Sequence, residues 1–296
     1  MASLAADRAA TGRRFCSETS REHGELLAAT ASRVDRWILI EHHGAWGKDA
    51  VDSSGLSVEV KAHLAERATA LRPGKVLFIR RRDRRAADGI HVYWGSSMLG
   101  GPWLSSTVVE GYEDLLGLDF AGPGDALAHP LLLVCTHGKH DACCAKYGLP
   151  VYEAMRDLLD EGWLWQCSHV GGDRFAGNVV CLPEGVYYGR VGAGDALALL
   201  EDHLAGRVQL DFYRGRSCYS FRVQAAERAV RASAGALGLD ELELRSTAPV
   251  VFRAAGTEYE VDVVVEHGEL AQLTCNAAGL SRPQRYVARI LRESVV

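Results

Sequence analysis

Short apolar runs separated by polar loops organise the first two thirds of the chain. The run WILIE at 37–41 is too short for a helix and apolar up to its last residue, so it reads as a buried strand. Residues 56–71 carry apolar positions at helical spacing, and KVLFIR at 75–80 reads as a second strand. Short strands follow at 91–94 and 103–108, then a short helix at 109–116. The same order then recurs. LLLVC at 131–135 is a buried strand, and residues 145–161 place Val151, Met155, Leu158 and Leu159 at amphipathic helical spacing. Residues 164–169 read as a strand. Strands at 179–182 and 186–190 flank Pro183-Glu184-Gly185, a hairpin turn signal, and a closing helix is expected at 196–205.

Both stretches therefore run β-α-β-β-β-α. LIEHHGAWGKDA (39–50) echoes LLVCTHGKHDAC (132–143), and HVYWG (91–95) echoes VYYGR (186–190), which indicates an internal duplication. The expected fold class is α/β, with tandem thioredoxin-like units of which the first is degenerate, since only the second has cysteines at its first loop. After Gly206 the pattern changes. A helix at 223–237 precedes strands at 249–253, 257–265 and 270–275, the last two read as a hairpin around His267-Gly268. This predicts a small α+β C-terminal unit. The expected domains are residues 1–125, 126–215 (the cofactor-bearing unit) and 216–296.

Composition narrows the function. The chain has 296 residues, 48% hydrophobic and 24% charged, as in soluble globular proteins. A net charge of −5 provides no basic field for nucleic acid, and no apolar run is long enough to span a membrane. The Ala- and Arg-rich start lacks the apolar core of a secretory signal, so a cytoplasmic location is expected, where cysteines stay reduced. Five of the eight cysteines fall between Cys135 and Cys181. That concentration marks a site.

Its first piece is the segment from Cys135 to Cys143-Cys144. Cys135 ends a buried strand, and Cys144 opens a helix whose free N–H groups and positive dipole end favour thiolates. The second piece is Cys167-Ser168-His169, followed by Gly171-Gly172-Asp173. Residues two apart on a strand share a face, so Cys167 and His169 could aim at one spot, with Asp173 turned back towards them. Loops at the carboxyl ends of neighbouring strands converge. Thiolates with imidazole suit zinc or an iron–sulfur centre, and mixed Cys/His ligation of a [2Fe–2S] group is chemically precedented. Neither the C-x-x-C pair of a thioredoxin redox site nor the close-set cysteine pairs of common zinc sites are present.

These segments resemble the sucrase/ferredoxin-like family of thioredoxin-like [2Fe–2S] proteins. The resemblance is carried by RFCSETS (14–20), ATASRVDRWILIEHHGAWGKDA (29–50), CTHGKHDACCAKYG (135–148), WQCSHVGGDRFAGN (165–178), YYGRV (187–191), VQAAERAVR (223–231) and LTCNA (273–277). It implies cluster binding through C-x₈-C and H-x₃-H. Cys135 and Cys144 match the cysteines and His169 the first histidine, while Asp173 stands at the second. Cys167 is the favoured fourth donor, since thiolate suits iron–sulfur best; Asp173, Cys143 and Cys275 are the alternatives.

The remaining candidates have plainer readings. Cys16, Cys181, Cys218 and Cys275 are expected to pack as small apolar residues. His137 and His140 are expected to be hydrogen-bonded or solvated, and Asp141 to cap the helix. The basic run from Arg80 to Arg85 reads as a solvated loop, with docking of an acidic redox partner as the sharper reading. The expected function is one-electron transfer by a non-enzymatic carrier with a [2Fe–2S] cluster, exchanging with a reductase and an acceptor protein. A thioredoxin-type thiol oxidoreductase and a zinc-stabilised interaction module are the alternatives.

Overall fold

The computed structural model describes residues 15–82 and 89–295. A short helix, α1 (Cys16–Glu22), leads into β1 (Arg36–Glu41), α2 (Val58–Ala70), β2 (Gly74–Arg80), β3 (Ile90–Ser96), β4 (Trp103–Val109) and a 3-10 turn at Tyr112–Gly117. The second stretch holds β5 (Leu131–Cys135), α3 (Ala142–Arg156), β6 (Leu164–Cys167), β7 (Val179–Leu182), β8 (Val186–Tyr188), α4 (Ala196–Leu204) and β9 (Tyr213–Arg216).

All nine strands join one sheet in the order β4-β3-β1-β2-β6-β5-β7-β8-β9. The fold is mixed α/β. Outward from the β2–β6 seam, the two halves have the same connectivity. β1 and β2 are parallel, as are β5 and β6, and the flanking pairs are antiparallel. The seam itself is a short antiparallel pairing, Ile79 opposite Cys167 and Arg80 opposite Gln166. Strand alternation sorts the core. Ile38 and Ile40 face the cluster that receives Val60 and Leu64 of α2, while Trp37 and Leu39 face a core that runs across the seam to Leu131, Leu133, Cys135 and Cys167. The site residues are thus set in the core shared by both halves.

The C-terminal unit is α5 (Phe221–Ala234) against a four-stranded antiparallel sheet, β10 (Glu243–Thr247), β11 (Val250–Ala254), β12 (Thr257–His267) and β13 (Gln284–Val295). Ser220 caps α5 by accepting the Val223 N–H, and Gly235 ends it in the left-handed region at φ 65°. Where α5 meets β9, Glu227 pairs with Arg231 (3.1 Å) and accepts the Tyr213 hydroxyl (2.7 Å), all buried.

Several expectations need correcting. The hairpin around His267-Gly268 does not form. β12 pairs instead with β13, whose Tyr286, Ala288 and Ile290 alternate onto the C-terminal core. Residues 268–283 are left as a loop, held by the Ala271–Ser281 bridge, and this loop carries Cys275 towards α3. β6 ends at Cys167, so His169 lies beyond the strand and the shared-face argument for Cys167 and His169 does not hold. The expected helix at 109–116 is a 3-10 turn. Residues 1–14 and the 83–88 part of the basic run lie outside the described residues. The rest of that run is engaged within the chain: Arg80 over the Trp46 ring (4.1 Å), Arg81 with Glu161 (3.0 Å) and Arg82 with Glu153 (3.1 Å). Among the described residues no helix is long and apolar enough to cross a membrane.

Candidate metal centre

Cys135 ends β5 at 1% exposure. The chain turns through His137 and Gly138 to Asp141, whose carboxylate accepts the Cys143 N–H (2.8 Å) and so starts α3. Third in that helix, Cys144 returns to Cys135. The close return depends on Gly148, since a Cβ there would run into the Cys135 carbonyl oxygen. His169 arrives from the loop after β6. Gly171 and Gly172 (φ 100° and 82°) then reverse the chain in a conformation that favours glycine, and Asp173 comes back beside it.

The donor atoms of Cys135, Cys144 and His169 lie within 4.8 Å of one another. His169 Nδ1 is 3.9 Å from Cys144 Sγ and 3.0 Å from Asp173 Oδ1, and the Cys144 thiol donates to that same oxygen at 3.6 Å. The buried Asp173 carboxylate therefore bridges the thiol and the imidazole. Cys167 lies elsewhere. It stands directly opposite Cys135 in the β5–β6 pairing, and its thiol contributes to the lowered Cys135 pKa.

Two further histidines hold the imidazole. His137 Nδ1 accepts the His169 N–H (3.2 Å), which leaves Nε2–H to donate to the Gly47 carbonyl (2.6 Å). That pattern is the neutral tautomer, and burial lowers the His137 pKa in the same sense. His140 stacks on His169 with ring centres 3.7 Å apart. Of the donors, the His169 side chain is the outermost, at 20% exposure.

The electrostatics favour an anion. Hydrogen bonds from Cys144 and then Cys167 hold the Cys135 thiol well below its usual range despite burial. Cys144 is pushed up by its neighbour Cys135 and by burial, and Cys167 by burial and then Cys135. Burial also raises Asp173. Two cations act on this nest. Burial lowers Lys75, while the neighbouring Cys135 and Cys167 sulfurs oppose that shift. Arg214, fully buried and lowered by burial to about 10, donates to the Gly171 carbonyl (3.0 Å) and to Asn178 (2.8 Å).

Cys143 and Cys275, alternative fourth donors by sequence, belong to a different group. Cys143 Sγ lies 3.6 Å from Cys16 and 3.4 Å from Cys275, with Asp141 completing the set. Cys16 and Cys275 were expected to pack as apolar residues, and they pack in a small apolar cluster around Cys143 with Ala176, Phe15 and Tyr147. One sequence signal points this way. Adjacent helical residues project about 100° apart, so Cys143 turns from Cys144 towards Cys16 and Cys275. Cys181 is buried in the apolar core beneath α3 and α4.

A family model described as sucrase/ferredoxin-like matches residues 27–215. Altered inheritance of mitochondria protein 32 of Saccharomyces kudriavzevii is 33% identical over 105 residues, covering 31% of this chain and 34% of that protein. The protein of the same name from Meyerozyma guilliermondii is 34% identical over 95 residues, covering 29% and 34%. The match thus spans about a third of the length of these curated relatives. Among solved structures, a thioredoxin-like [2Fe–2S] ferredoxin from Aquifex aeolicus aligns at 19% identity and TM-score 0.26, over 29% of this chain and 90% of that one.

Proposed function

The chain belongs to the sucrase/ferredoxin-like family, and on that premise we propose that it is a one-electron carrier with a [2Fe–2S] cluster held by Cys135, Cys144, His169 and Asp173. The observation that carries this reading is the convergence of two buried thiols and an imidazole from two loops, with the Asp173 carboxylate 3.6 Å from Cys144 Sγ and 3.0 Å from His169 Nδ1. Thiolate with imidazole is a donor set that suits iron–sulfur. When bound, such a group stores and releases single electrons.

Asp173 replaces Cys167, the sequence-favoured fourth donor, because it is the group in contact with both His169 and Cys144. Cys167 acts on the Cys135 sulfur by hydrogen bonding, which tunes a potential without ligation. His137 fixes the backbone of His169, and His140 covers its ring. The half-buried imidazole is then the way out for the electron, and an electron donor and an acceptor protein are the partners this role requires. A thiol oxidoreductase needs a thiolate that its substrate can reach. Cys135 and Cys143 are the depressed thiols, and at 1% and 0% exposure both are closed to a substrate disulfide. The reading fits a compartment that keeps thiols reduced, such as the cytoplasm.

Protein purified without air should be red-brown, with about two irons and two sulfides per chain. Cys135→Ser should bleach it. Asp173→Ala should lose the cluster, while Cys167→Ser should keep the colour at a shifted potential. Protein that stays colourless after anaerobic supply of iron and sulfide overturns the proposal, and colour that survives Asp173→Ala but not Cys167→Ser overturns the ligand assignment.

A further inference from the structure

Three thiols meet behind the helix that carries Cys144. Cys16 comes from α1, Cys143 from the first turn of α3, and Cys275 from the loop between β12 and β13. Their sulfurs form a nearly equilateral triangle: 3.6 Å from Cys16 to Cys143, 3.4 Å from Cys143 to Cys275 and 3.7 Å from Cys275 to Cys16. The Asp141 carboxylate stands over it, with its oxygens 3.9 and 4.0 Å from Cys16 Sγ. Cys16, Cys143 and Asp141 are buried.

We propose that Cys16, Cys143, Cys275 and Asp141 form a second metal site, a zinc site separate from the cluster donors. The spacing carries the assignment. Tetrahedral zinc with Zn–S bonds of about 2.3 Å places its thiolates about 3.8 Å apart, so all three edges of this triangle are close to those of a single ion. A disulfide would draw together one pair and leave one thiol over. Three near-equal edges with a carboxylate as fourth corner describe an S3O set instead.

The surroundings are those of a built site. Ser17 Oγ donates to Cys143 Sγ at 3.2 Å. Asp141 is oriented by the N–H of Cys143 (2.8 Å) and of Cys275 (2.6 Å), and each carboxylate oxygen keeps a lone pair for the ion. Zinc would displace the thiol protons on binding. A cavity lined by Cys16, Ser20, His23, Arg174, Ala271 and Gln272 offers a path for the ion.

The three cysteines come from the start, the middle and the end of the chain. The ion would tie α1 and the C-terminal loop to the first turn of α3, and so fix the helix start that presents Cys144. It is a structural zinc, with all four positions taken by protein.

Zinc content, measured together with iron on the same anaerobic preparations, tests the proposal. Protein supplied with zinc should hold about one per chain, falling to near zero in Cys275→Ser and in Cys16→Ser. Asp141→Asn retains the helix cap and should bind zinc about ten- to a hundredfold more weakly, by chelator competition. Cys135→Ser should lose iron and keep zinc; Cys275→Ser should keep iron. Should the serine variants fail to fold, mass-spectrometric thiol labelling of the unmodified chain decides: Cys16, Cys143 and Cys275 should resist alkylation until zinc is chelated. Cobalt in place of zinc should show tetrahedral bands with thiolate charge transfer. Absence of bound zinc, a disulfide within the trio, or zinc that follows Cys135 instead of Cys275 would each overturn the assignment. A colourless protein that holds zinc refutes the electron-carrier reading alone, and a coloured one that binds none refutes this one alone.

Discussion

The two halves of the nine-stranded sheet use one backbone plan for different chemistry. In the first half β1 ends on Glu41, with Ile79 of its parallel neighbour opposite; in the second β5 ends on Cys135, with Cys167 opposite. Both strands lead into a His-Gly turn, His43-Gly44 in one and His137-Gly138 in the other. The buried Glu41 carboxylate bonds His43 (2.8 Å) and accepts the His91 N–H (3.1 Å), with Arg81 at 4.0 Å. It is a knot of polar and charged groups where the second half has a nest of thiols. The helices differ too: α2 begins only at Val58, well beyond Glu41, whereas α3 begins at Ala142 and presses Cys144 against Cys135. The strand end supplies a place where side chains from two loops converge, and loop length and residue type decide what is made of it.

The largest expected effect removes the residue with no counterpart in the first half. Cys144→Ser should reduce bound iron to near zero while zinc stays on the adjacent Cys143 site, as read by metal analysis of one preparation. Loss of both metals together would show that the two sites form one unit. A milder exchange keeps the second-half plan and changes one donor. His169→Cys should retain colour and lower the midpoint potential by on the order of 100 mV, because thiolate favours the oxidised form. An unchanged potential in redox titration would remove His169 from the ligand set.

The first half should respond in stability instead of metal content. Glu41→Ala removes the carboxylate that accepts the His91 N–H and takes the anion from beside Arg81, which should cost about 3 kcal/mol in urea unfolding with iron unchanged. If Glu41→Ala lowers iron content instead, the two strand ends are coupled through the seam at Ile79 and Cys167.

Much of this was open to sequence reading because it is local. LLLVC at β5 and VVCL at β7 stand between turn signals as apolar runs, and both occur at the expected positions. The repeated element order follows from the same patterning. Cys135, Cys144 and His169 are brought together by two loops that follow neighbouring strands, a rule that needs no long-range information. The C-terminal region was harder. β13 alternates Tyr286, Ala288 and Ile290 with charged residues, a weak signal beside the more apolar segment at 270–275, and the long loop replaced the expected tight hairpin. Cys16 and Cys275 lie far from Cys143 in sequence, and their meeting is set by how α1 and the C-terminal sheet dock, which no spacing rule encodes. Where β6 stops, which takes His169 off the strand, is one of the features sequence patterns specify least well.

The smallest expected effect separates the closing elements of the two halves. The first half closes with the 3-10 turn Tyr112–Gly117, the second with α4, whose buried His203 lies 3.3 Å from the Tyr188 hydroxyl. Burial, with a contribution from the Arg216 charge, lowers the His203 pKa from 6.5 to about 4. The unfolded chain therefore binds a proton that the folded chain refuses between these values. This contribution to stability is complete above the unfolded pKa and declines as pH falls towards about 4. Between about pH 7.5 and 5.5 the loss is about 1 kcal/mol. Urea unfolding across that range should show it in the native sequence and lack it in His203→Gln, so that the difference between the two slopes isolates the α4 side of the sheet. Parallel slopes would mean that His203 takes up its proton without leaving the core.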